Sequence, residues 1–108
     1  MTDKQLVRFV AAFRSGMLGR RSSRGCCGMV CLPLSTYLAL HGVENEIIEV
    51  DLMDEPSHRA ANHCWLRLPD GRALDPTADQ FNTDARRFPR VYLGEPVLGI
   101  HVARTEGR

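Results

Sequence analysis

The chain has 108 residues, of which 44% are hydrophobic and 25% charged, and a formal net charge of +1. That length fits one domain over residues 1–108 with one core, burying about two-thirds of the chain's surface. So even a charge balance excludes a surface built for nucleic acid or an acidic membrane. No apolar run approaches the roughly 18 residues of a membrane span.

The N-terminus, Met1-Thr2-Asp3-Lys4, has neither the apolar stretch nor the small-residue cleavage site of a secretory leader. The expected compartment is therefore the cytoplasm, with the four cysteines as thiols. Cys26 and Cys27 are adjacent, an awkward geometry for a mutual disulfide.

Residues 3–18 read as an amphipathic helix. Leu6, Val10, Phe13 and Met17 recur at helical spacing, Thr2 or Asp3 caps the start, and Gly19 ends it. The basic run from Gly19 to Arg24 reads as a solvated loop. A second helix is expected over 27–41, stopped by Gly42, with Val30, Leu34, Leu38 and His41 along one face. Pro33 conflicts with it, since proline kinks a helix interior. The helix should then start late, near Cys31, or have irregular first turns.

Glu46 to Leu52 is rich in β-branched residues and reads as a strand. A loop over 53–61 contains Pro56. Strands follow at 62–68 and 72–75. The stretch 76–90 is mostly loop, and Val91-Tyr92-Leu93 and Leu98 to Ala103 are short strand candidates. Helices first and strands afterwards predict an α+β domain, with N-terminal helices packed on one face of a small antiparallel sheet.

The chemistry gathers around a hairpin. On a strand, His63, Trp65 and Arg67 share one face, and Cys64, Leu66 and Leu68 take the other. Pro69-Asp70-Gly71 suits a three-residue loop, with a type I turn followed by left-handed Gly71. Leu66 then faces Leu74 and Trp65 faces Asp75, so Asp75 joins His63 on one face. A two-residue Asp70-Gly71 loop would move Asp75 to the wrong face. An imidazole beside a carboxylate can act as general base to a thiol. Cys26, Cys27 and Cys31 all lie near a helix start, where free N–H groups and the helix dipole lower a thiol pKa.

The run Gly25-Cys26-Cys27, with Leu34, Leu38 and Gly42-Val43, resembles the transglutaminase-like superfamily, in which Gly-x-Cys opens a helix closed by glycine. The later His63-Cys64-Trp65 and Asp75-Pro76-Thr77 look like its histidine and aspartate strands. The string Asn62 to Phe81, with the tail Arg90 to Gly94, is similar to small bacterial and phage members. The resemblance spans residues 22–96. It implies a papain-like fold, Cys27 as nucleophile, His63 as base and Asp75 as orienting acid. The activities it implies are peptide cleavage, amide hydrolysis and transamidation on a protein or peptide substrate, without cofactor or metal. Arg21 stands where papain-type enzymes carry a glutamine before the cysteine. The oxyanion donors are therefore sought in the backbone N–H of Cys27 and the side chains of Trp65, Asn62 and Gln80.

Two rival readings use the same residues. One is a structural zinc site from Cys26, Cys27, Cys31, His63 and Cys64. It lacks a Cys-x-x-Cys pair, and a strand turns His63 and Cys64 apart. The other is a non-catalytic interaction module on the same fold.

Overall fold

Thr2 opens the first helix with a capping box. Its Oγ1 accepts from the Gln5 N–H at 3.2 Å, and Gln5 Oε1 accepts from the Thr2 N–H at 2.9 Å. The computed structural model describes residues 1–52 and 62–103, so the 53–61 loop and Pro56 fall outside the described residues. Helix α1 spans Asp3–Leu18 and ends at Gly19, whose φ of 58° suits glycine. It buries Leu6, Val10 and Leu18, while Phe13 and Met17 are half-buried.

Helix α2 spans Cys27–Leu40 and runs through Pro33. The late or irregular start expected from the proline is not found. Val30, Cys31, Leu34 and Leu38 are buried and hold the helix on the sheet across the missing N–H. His41 is exposed and does not continue the buried face. Gly42 at φ 77° ends the helix, with the Val43 N–H returning to Leu38 O at 2.8 Å.

Four strands follow: β1 (Glu46–Asp51), β2 (Asn62–Arg67), β3 (Ala73–Asp75) and β4 (Tyr92–Gly94). They pair antiparallel in the order β1-β2-β3-β4. Cys64, Leu66, Leu68 and Leu74 meet the helices on one face, with Leu6, Val10, Leu34 and Leu38. Val50, Trp65 and Ala73 line the other face. There the chain after β3 covers them with Ala78, Phe81, Phe88, Ile100 and Ala103. The fold is α+β, with both helices on one face and irregular chain on the other.

The hairpin has the register that parity requires. Leu66 pairs with Leu74 and Arg67 with Ala73. The Leu68 N–H donates to Arg72 O at 3.0 Å, and Gly71, at φ 89°, donates to Leu68 O at 2.9 Å. Residues 98–103, expected as a strand, instead form a turn. Gly99 has φ 92°, only an isolated bridge joins Leu98 to Val102, and the His101 N–H returns to Val97 O at 2.8 Å.

Candidate active site

Asp75 ends β3 and is fully buried, so each of its oxygens needs donors. Oδ2 accepts from His63 Nε2 at 2.7 Å and from His101 Nε2 at 2.8 Å. Oδ1 accepts from the Thr77 N–H at 2.9 Å and from Thr77 Oγ1 at 3.4 Å. Burial alone would push this carboxyl up. The hydrogen bonds from His101 and His63 outweigh it and hold Asp75 well below the usual carboxylate range.

The hydrogen bonds fix both imidazoles. The Val97 N–H donates to His101 Nδ1 at 2.8 Å, so that nitrogen keeps its lone pair and Nε2 carries the proton. His63 donates its Nε2–H to Asp75, which leaves Nδ1 as its acceptor, with Gln80 Nε2 at 3.4 Å. The His63 ring stands edge-on to Phe81, with centroids 4.8 Å apart. Burial works against a charged His63. Its hydrogen bond to Asp75 and its interaction with Cys27 prevail and raise it to about 9.

Cys27 is the first residue of α2, half-buried, with Cys64 and His63 as neighbours. The helix start predicts a lowered thiol pKa, and this is not found. The neighbouring Cys64 thiol and then burial push Cys27 up to about 12, against the opposing pull of His63. Local surroundings thus outweigh the helix terminus. Cys26 and Cys31 face elsewhere. Cys26 turns its sulfur to the carbonyls of Ser22 and Arg24 at 3.6 and 3.5 Å. Cys31 is buried in the helix-side core and donates to Cys64 O at 3.5 Å.

The loop before Cys27 is tied to the chain after Asp75. Ser23 Oγ donates to Asp79 Oδ1 at 2.6 Å, and Arg14 clamps Asp79 at 2.8 Å. The Gly25 N–H donates to Gln80 Oε1 at 3.3 Å, and Gln80 Nε2 reaches Thr77 Oγ1 at 3.1 Å and His63 Nδ1 at 3.4 Å. Gln80, one of the expected oxyanion donors, therefore sits between the nucleophile loop and the histidine. Trp65 does not serve as such a donor, because it is buried and its Nε1–H is taken by His101 O at 3.1 Å. Asn62 is exposed at the start of β2, paired with Asp51.

Among the described residues, ligand-type atoms converge in a group of three at His63, Asp75 and His101, a set without cysteine. At 2.7 and 2.8 Å the two histidine–aspartate contacts are hydrogen bonds in this structure. His101 has no counterpart in the sequence reading. It lies 26 positions from Asp75, in a stretch whose alternation suggests a strand, and no local rule points from it to the hairpin. No protein-family model, curated protein or solved structure matches the chain.

Proposed function

We propose that this protein is a thiol-dependent acyl-transfer enzyme, an amide or peptide hydrolase or transamidase, built on a papain/transglutaminase-like plan. Cys27 is the nucleophile, His63 the base and Asp75 the orienting acid. The carrying observation is the buried His63–Asp75 hydrogen bond of 2.7 Å, which commits Nε2 and leaves Nδ1 for a thiol proton.

In the reaction, His63 Nδ1 takes the Cys27 proton as sulfur bonds to the amide carbon. The carbonyl oxygen becomes an oxyanion, held by the Cys27 backbone N–H and by the Gln80 N–H that His63 Nδ1 releases once it takes the thiol proton. The C–N bond then breaks, and the imidazolium returns the proton to the leaving amine. Water or a second amine resolves the thioester through the same base. A domain of 108 residues leaves little depth for a substrate, so a protein or peptide segment lying across the surface is the expected class. The expected compartment is the cytoplasm.

One observation favours the rival interaction module: the Cys27 thiol is pushed up, so it rests protonated. Alkylation by iodoacetamide, read by mass spectrometry across a pH series, separates the two readings. Coupled to His63, Cys27 labels first among the four cysteines, with a rate that climbs through an apparent pKa near 9. His63→Gln then slows it by about tenfold or more. Were Cys27 instead to titrate alone near 12, or label no faster than Cys26 whatever stands at position 63, the enzyme reading would fall and the module would stand.

A further inference from the structure

We propose that His101 is a positioning residue of this site: a second N–H donor that fixes the Asp75 carboxylate and takes part of its charge away from His63. This rests on the reading of His63 as the base.

Three observations support it. First, the backbone fixes the tautomer. The Val97 N–H occupies His101 Nδ1 at 2.8 Å, so protonation there would set two N–H groups against each other. Second, the ring is immobilised. It lies between Trp65, with centroids 5.1 Å apart, and Tyr92, at 5.4 Å, and is 1% exposed. The backbone carbonyl of His101 also receives the Trp65 indole N–H at 3.1 Å, so the residue holds the site from both its ring and its main chain. Third, both histidines use the same oxygen, Oδ2, at 2.7 and 2.8 Å. An anion shared by two donors is a weaker acceptor for each. His101 therefore opposes the effect of Asp75 on His63. The carboxylate alone would hold His63 as imidazolium, and the second donor moves it toward the neutral form that can take a proton.

Among the described residues, the ionisable groups facing His63 are Asp75 from β3, His101 from the 97–103 turn and Cys27 from α2, with Cys64 beside it on β2. Gln80 and Phe81 face it from the 3₁₀ turn Ala78–Phe81 and are neutral. Tyr92 faces His101. Of these, His101 is the group that shares the Asp75 carboxylate oxygen with His63.

The test is a titration of the imidazole nitrogens by NMR, in the intact chain and in Cys27→Ala, which removes the neighbouring thiol. In the unmodified chain the neutral His101 ring carries its proton on Nε2, the tautomer that the Val97 N–H sets. In His101→Phe, which keeps the ring and loses the donor, the His63 midpoint moves up by about one pH unit. His101→Gln, which restores an N–H donor, brings it back. A His101 ring with its proton on Nδ1 in place of Nε2, or an unmoved His63 midpoint in folded His101→Phe, would overturn the proposal. Should His101→Phe not fold, the tautomer and the Gln variant decide it. The readout needs no thiol chemistry. If the midpoint shifts while Cys27 labelling ignores His63, the role of His101 stands and the enzyme reading falls.

Discussion

At Asp75, donors approach both carboxylate oxygens, and this changes what an amide there would do. From the hairpin alone, Asp75→Asn reads as a silent change for the fold that removes only the charge. In the structure Oδ2 serves two imidazole N–H groups and Oδ1 serves Thr77. An asparagine can present its oxygen to one set only, so its NH₂ must face donors on the other side. Leaving a buried donor without an acceptor costs about 1–3 kcal/mol. Urea unfolding of Asp75→Asn should show a loss of that size, together with loss of any His63-dependent alkylation of Cys27. A variant as stable as the parent would mean that the carboxylate's second oxygen is not held as tightly as its bond lengths indicate. The His63–Asp75 contact was legible in the sequence because both residues sit on one short hairpin. His101 and the Gln80 bridge were not, since each meets the site across a long stretch of chain.

The β2–β3 hairpin shows what local rules can and cannot deliver. Pro69-Asp70-Gly71 sets an odd-length loop, the loop sets the register, and the register sets the face on which Asp75 lies. Each step uses neighbouring residues, so the sequence alone carries it. Helix α2 is the opposite case. Pro33 removes a helical hydrogen bond, a penalty of about 3 kcal/mol in an isolated helix, and argues for a broken segment. Burial of Val30, Cys31, Leu34 and Leu38 against the sheet overrides it, and no local pattern reports that packing. The 98–103 turn departs from its pattern for a related reason: alternating apolar residues suggest a strand, whereas Gly99 and the Val97–His101 hydrogen bonds close a turn. The turn glycine of the hairpin gives the test at this scale. A Cβ on Gly71 meets open space, so the cost of replacing it is torsional, set by φ 89°. Gly71→Val should destabilise by about 1–2 kcal/mol, and Gly71→Asn by less, because asparagine visits the left-handed region more readily. Equal losses in thermal or urea unfolding would show that the loop is not the turn described here.

Across the whole molecule, the sheet is covered on both faces, by helices on one and by the irregular chain after β3 on the other. The helix-covered face follows from sequence pattern. The second cover does not, because aromatic residues scattered through loops, such as Phe81 and Phe88, carry no periodicity. That cover is what seals His63, Asp75 and His101 from water, and it makes the stability of the fold depend on pH. His63 is raised in the folded chain from 6.5 to about 9, so its contribution is complete below pH 6.5 and is lost as pH rises toward 9. Asp75 is held below its ordinary value of 3.8, so its contribution is present above that pH and fades as acid is added. Cys27 is raised from 9.0 to about 12, which extends the alkaline decline beyond the histidine window. Stability should therefore plateau between about pH 4 and 6.5 and fall by about 3 kcal/mol on going to pH 9, at 1.36 kcal/mol per unit. Urea midpoints at pH 6, 7.5 and 9 measure this. Cys27→Ala should keep most of the drop, and His63→Gln should lose it. A flat profile in the unmodified chain would mean that His63 keeps an ordinary pKa inside the fold. The base would then be neutral and free near pH 6.5, and alkylation of Cys27 would switch on there, not near 9.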